Sequence, residues 1–192
     1  MTITYWIPTI GNSSLSLLPP FEPSDDGFSG FNSDPATASG GGALTAGTAY
    51  LARLPVRAGQ LISRLWFCPT IGATGASTGS FAWLVSGSTG AVLAQSADIA
   101  TQLSATGWQS AAMTTPVTVP SGTFPYAVIL ANFATTQPTM LRQLNTVNNS
   151  PQSTVAVSSL RWAQQAAFGS AVAAVTLSSN AASAFSNIVG WS

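Results

Sequence analysis

Few groups in this 192-residue chain could do chemistry. There is no histidine and no lysine; the cations are Arg53, Arg57, Arg64, Arg142 and Arg161, and the acids are Glu22, Asp25, Asp26, Asp34 and Asp98. Without an imidazole or an amine, the serine triad, the cysteine–histidine dyad and Schiff-base catalysis lack their base or nucleophile. A Cys/His zinc site lacks its ligands. Glycoside hydrolysis needs two carboxyl groups facing across one bond, but four of the five acids crowd into residues 22–34 and Asp98 stands alone. Carboxylates beside a turn suit hard cations. Asp25-Asp26-Gly27 lacks the regular alternation of ligands, however, and reads as a solvated acidic turn. Gly40-Gly41-Gly42 is not followed by Lys-Ser/Thr, so it is no phosphate loop. Cys68 lies in an apolar run before Pro69 and reads as a small buried hydrophobe rather than a reactive thiol. These residues predict no enzyme, no cofactor and no metal site.

What remains is aromatic. Trp66, Trp83, Trp108, Trp162 and Trp191 are large flat faces of the kind that sugar-binding sandwiches present, or core side chains. Trp66 and Trp83 sit inside apolar runs, which predicts core. Trp108, between Gly107 and Gln109 at a loop–strand junction, is the candidate surface or ligand contact.

The charged fraction is 5%, against roughly 25% in an ordinary soluble domain. Large apolar groups are plentiful, with 6 Trp and 9 Phe, so the composition is not that of a disordered chain. The formal net charge is zero, and low charge promotes association. The charges are segregated. Residues 1–45 hold four acids and no base, a charge of −4; the remainder holds five arginines against Asp98, a charge of +4. An acidic arm and a mildly basic body can dock on each other or on neighbouring copies. Five scattered arginines make no basic stripe, which argues against nucleic-acid binding. No run approaches the roughly 18 apolar residues of a membrane span, so no membrane insertion is expected. The N-terminus has no basic n-region and no apolar h-region, which predicts synthesis in a cytoplasm without export.

These groups are positioned by two regions. Residues 1–47 are punctuated by Pro8, Pro19, Pro20, Pro23 and Pro35, which disfavours long ladders and helices. Trp6, Ile7, Phe21, Phe28 and Phe31 are nevertheless too apolar for a free linker. The reading is an extended assembly arm that lies on its own domain or on a neighbour, with Gly40-Gly41-Gly42 as a hinge. Residues 48–192 read as one antiparallel β-sandwich. Strands are expected over Thr48–Val56, Gln60–Cys68, a hairpin at 80–95, Trp108–Met113, Thr123–Phe133, Pro138–Leu144, Val155–Ala163 and Phe185–Trp191. Asp98–Leu103 predicts one helical turn. Thr114–Thr123 reads as a Pro-bounded turn, 163–174 as a loop, and the small-residue loops 69–79 and 145–151 as the ends of the sandwich, where binding would lie.

A resemblance rests on the order of several motifs. They are Thr48-Ala49-Tyr50-Leu51-Ala52-Arg53-Leu54-Pro55-Val56; Leu61-Ile62-Ser63-Arg64-Leu65; Phe81-Ala82-Trp83-Leu84; Gly90-Ala91-Val92-Leu93-Ala94-Gln95-Ser96-Ala97-Asp98; Gly107-Trp108; Pro116 to Thr123; and Ile188-Val189-Gly190-Trp191-Ser192. Residues 45–192 thereby resemble the jelly-roll module of minor tail and tail-fibre proteins of phages that infect actinobacteria. The resemblance implies a jelly-roll sandwich and a virion structural protein, often oligomeric and by analogy trimeric. Its partners would be other virion proteins and a host cell-surface glycan. Family members carry the module within longer tail proteins, whereas here a short acidic arm precedes it. A capsid decoration protein of the same fold, and a carbohydrate-binding module, are the alternatives.

Overall fold

The computed structural model describes residues 28–33, 35, 38, 40–144, 162–179, 181–182 and 185–192. The expected loop 145–151, most of the expected strand Val155–Ala163, and the arm residues Trp6, Ile7 and Phe21 lie outside them, as do Glu22, Asp25, Asp26 and Asp34.

The chain is an all-β antiparallel sandwich. In order, its strands are β1 (Gly30–Phe31), β2 (Gly41–Ala43), β3 (Ala49–Arg53), β4 (Leu61–Phe67), β5 (Pro69–Ile71), β6 (Phe81–Ser86) and β7 (Val92–Gln95). After a short helix, α1 (Ala100–Ser104), come β8 (Gln109–Thr118), β9 (Pro125–Leu130), β10 (Thr139–Leu144), β11 (Trp162–Gln165), β12 (Ala181–Ala182), β13 (Phe185–Asn187) and β14 (Val189–Trp191). One sheet runs β1-β14-β4-β8, and a larger one runs β12-β11-β3-β9-β6-β7. They pack face to face: Ile62, Leu65, Phe67, Ala111, Met113, Val189 and Trp191 from the first meet Ala52, Ala82, Leu84, Ala94, Ala127 and Ile129 from the second in one buried core.

A third set of strands grows out of the first sheet. β4 and β14 pair as far as Phe67 and Val189, and there β10 enters between them. The Leu141 N–H donates to the Cys68 carbonyl (2.7 Å), and the Ile188 N–H donates to the Leu141 carbonyl (3.1 Å). Beyond that fork β10 pairs with β5 and β13, and also with β2. The expected final strand Phe185–Trp191 is thus two strands, because Ile188 turns the chain from one partner to the next. Gly41-Gly42 is not the expected hinge. It belongs to β2, where the missing Cβ of Gly42 leaves room for the Arg142 guanidinium.

The large sheet is buried on both faces. Along β9 the side chains alternate, with Ala127 and Ile129 in the sandwich core and Tyr126, Val128 and Leu130 in a second cluster on the far side. Trp83 and Val85 of β6 join that second cluster. Its cover is the loop 166–179, which lays Phe168, Val172, Val175 and Leu177 over them. Two backbone bonds fasten the cover, Phe168 N–H to Gly47 O (2.7 Å) and Val175 N–H to Gly90 O (2.9 Å). The loop expected over 163–174 therefore begins at 166, after β11, and serves as a third layer.

Three further details differ from the expectation. β8 continues through Pro116 to Thr118, so the turn is confined to Pro120–Gly122. Proline fits because the β4–β8 register breaks between Ile62/Val117 and Arg64/Ala112, where no ladder bond is required of it. The same irregularity breaks the period-two face assignment of β4, so that Ile62, Leu65 and Phe67 point inward together while Leu61 is 55% exposed. Finally, the loop 69–79 is braced. It contains β5, bridges Thr74 to Thr136 and Ser77 to Phe133, and bonds Ala73 N–H to Leu103 O of α1.

Candidate functional site: an aromatic seat for the N-terminal segment

Phe28 to Asn32 lies across the outer face and edge of the β1-β14-β4-β8 sheet. Gly30 faces Trp191 and Phe31 faces Gly190 in an antiparallel register. The ladder is extended by Ser29 N–H to Trp191 O (2.6 Å) and Asn32 N–H to Val189 O (2.9 Å). The Asn32 carboxamide then does the work of one more strand residue. Its Oδ1 accepts from Val189 N–H (2.8 Å) and its Nδ2 donates to the Asn187 carbonyl (3.0 Å). Asn32 is buried, so these bonds replace water that its polar atoms have lost.

The rings complete the attachment. Phe28 packs at 4.6 Å from both Phe31 and Trp66 and at 5.4 Å from Trp108, and Phe31 lies 5.3 Å from Trp108. These separations and tilts are those of favourable aromatic pairs, each worth about 0.5–1.5 kcal/mol beyond area burial. Two glycines make the close approach possible. A Cβ on Gly190 would stand 2.8 Å from Phe31 and 2.9 Å from Phe28, and one on Gly30 would stand 2.6 Å from Trp191. The Trp66 indole N–H donates to Ser192 Oγ (3.1 Å). On the same strand as Trp66, Arg64 is exposed and donates from Nη1 to Ser110 Oγ (3.2 Å).

Two of the five nominated arm residues, Phe28 and Phe31, are thus brought together, and the nominated contact Trp108 is where they meet. Trp108 is 36% exposed, and the two phenyl rings occupy part of the flank that was expected to meet a ligand. Trp66 is corrected from core to the outer face, because the β4 irregularity turns it away from the interior; Trp83 is fully buried as expected.

Several other polar groups among the described residues are engaged in structure. Asp98 Oδ1 accepts from Ala100 N–H (2.7 Å) at the start of α1, and its Oδ2 accepts from Ser80 N–H (3.3 Å). Burial raises the Cys68 thiol pKa, which keeps it protonated. Two networks were not anticipated. Buried Arg142 donates from Nε to Asn187 Oδ1 (3.0 Å) and from Nη2 to the Ala43 carbonyl (3.0 Å), and it lies 5.6 Å over the Tyr50 ring. Burial pulls its pKa down, partly offset by Tyr50. Asn132 ties three loops, donating to Gly79 O (3.0 Å) and Gly169 O (2.9 Å) and accepting from Gly47 N–H (2.6 Å). The one available signal for the first network was an arginine placed directly after the apolar pair Met140-Leu141 in a short strand. Asn132 and Asn32 had none, since an isolated asparagine in an irregular stretch looks like any turn residue.

A cleft of about 300 Å³ lies beside Asn32, lined by Arg53, Leu54, Pro55, Val56 and Phe124, with the Arg53 guanidinium 4.0 Å from the centre of the Phe124 ring. Among the described residues no helix is long and apolar enough to cross a membrane. Comparison of the chain with known protein families finds no matching family model, and comparison with curated proteins finds no match.

Proposed function

We propose that this chain is a non-enzymatic structural protein of a phage virion, a minor tail protein that assembles through its N-terminal arm and contacts the host surface. The observation that carries this reading is the strand-paired docking of Phe28–Asn32 on β14. Apolar residues of a proline-punctuated segment are committed to a binding surface rather than to the core, as an assembly arm requires. The antiparallel sandwich supports the jelly-roll reading of residues 48–192. The low, segregated charge supports association, and the tying of Asp98 and Cys68 into structure supports a role without catalysis. A trimer is the oligomer expected by analogy with virion jelly rolls, and the partly exposed Trp108 is the contact available to a glycan.

Immunogold labelling of intact particles tests the location. Label at the tail is expected; label confined to the head would replace this reading with a capsid decoration protein. Absence from the particle, together with glycan-array binding lost in Trp108→Ala, would replace it with a carbohydrate-binding module.

A further inference from the structure

We propose that the seat formed by β14, Trp66 and Trp108 is a strand-acceptor site that also takes the Phe28–Asn32 segment of a second copy of this chain, so that copies are linked by exchanged segments. The inference rests on the reading of the N-terminal region as an assembly arm, and it names that arm's partner.

The contacts described above are independent of which chain supplies the segment. The hydrogen bonds of Ser29 and Asn32 go to backbone groups of Asn187, Val189 and Trp191. The ring contacts go to Trp66 and Trp108 and to the hollow over Gly190. The segment is joined to the body only through residues 33–40, between β1 and β2. Eight residues span roughly 25–30 Å when extended, enough to reach a neighbouring body without disturbing β2. Exchange of an identical element is a low-cost route to association because it makes no new interface.

Charge favours the same occupant. Asp25 and Asp26 precede Phe28 by three and two residues in sequence. The register Gly30–Trp191–Leu65, continued by one residue, sets Ser29, Ser192 and Arg64 side by side. The acids that precede the segment in sequence are opposite in sign to the exposed Arg64, and zero net charge puts no long-range repulsion between copies.

Mass action sets the conditions. A connector of this length gives the chain's own segment an effective concentration on the order of millimolar. Self-docking therefore dominates in dilute solution, and exchange becomes comparable where copies are packed at millimolar local concentration.

The test uses the full chain with Cys68→Ala throughout. Ser29→Cys and Ser192→Cys are made singly, in chains of different tag length, and together in one chain. The double variant should close an internal disulfide; if it stays reduced under oxidising conditions, the seat itself is wrong. The two single variants are co-refolded and oxidised at about 1 mM and about 10 μM. A mixed-size disulfide dimer is expected at about half yield at the higher concentration, falling on the order of a hundredfold at the lower. Phe31→Ala in the Ser29→Cys chain should reduce it at least tenfold. No mixed dimer at 1 mM, or a yield unaffected by Phe31→Ala, would overturn the exchange. Because the readout is on purified protein, it is separate from the particle labelling that tests the virion reading.

Discussion

At the scale of single residues, the attachment of the N-terminal segment depends on atoms that are absent as well as present. Gly190→Ala would place a methyl group against both phenyl rings. The expected result is loss of the Phe28 and Phe31 contacts with the sandwich left intact, read as increased acrylamide quenching of Trp66 and Trp108 at unchanged far-UV circular dichroism. Asn32→Ala should lower stability by about 1–3 kcal/mol, the range for leaving buried partners without their hydrogen bond; the Val189 N–H and the Asn187 carbonyl lose theirs, and urea denaturation measures the change. Tyr126 supplies a pH dependence. Burial, opposed by Arg53, pushes its phenol up to about 12 from an ordinary value of 10.0. The folded state thus holds the proton more tightly than the unfolded state. That contribution is complete below pH 10 and is lost as pH rises from 10 to 12. Stability measured across this window should fall, and Tyr126→Phe should flatten that part of the fall.

At the scale of elements, period-two patterning was enough to locate most strands but not to say what covers them. Phe81–Val85 and Phe124–Leu130 are apolar on both faces, which announces burial on both sides without naming the second cover. The cover is 166–179, a loop whose Phe168, Val172, Val175 and Leu177 carry no regular period. It is held there by the Gly47 and Gly90 carbonyls and by the Asn132 carboxamide, all from distant parts of the sequence. The same limit explains β4 and β8. A bulge changes which face a residue occupies, and no local pattern marks the break opposite Ser63 that accommodates Pro116. If 166–179 is a structural layer, truncating it must be felt in the core. Phe168 lies 5.4 Å from the buried Trp83 ring. Phe168→Ala should destabilise by about 2–4 kcal/mol, somewhat below the range for a fully buried phenylalanine, and should shift Trp83 emission to the red. A change under 0.5 kcal/mol, typical of a surface position, would mean that the loop merely passes over the sheet.

For the whole molecule, the division into an arm up to residue 47 and a body from residue 48 describes composition better than it describes contacts. The excess of aromatics over what a free linker needs was legible, and Phe28, Phe31 and Trp108 were singled out separately, the first two for assembly and the third for ligand contact. That they form one cluster was not, since Phe28 and Trp108 are 80 residues apart and only the β1-β14-β4 register brings them together. Gly41-Gly42 was misread for the complementary reason: glycine signals freedom locally, yet here it makes room for Arg142. The body therefore depends on part of the arm, and two truncations separate the parts. Removing residues 1–27 keeps Phe28–Asn32 and should cost less thermal stability than the longer cut. Removing residues 1–33 strips β1 and uncovers Trp66 and Trp108. Burial of one phenylalanine and part of another, at about 1.5–3 kcal/mol for a fully buried side chain, makes the expected loss about 2–4 kcal/mol. It should be accompanied by dye binding to the exposed seat. A synthetic peptide of residues 25–33 added in excess should quench that dye binding and restore stability, whereas the same peptide with both phenylalanines changed to alanine should do neither. If the longer truncation is as stable as the full chain, the segment is a passenger on the sheet rather than one of its strands.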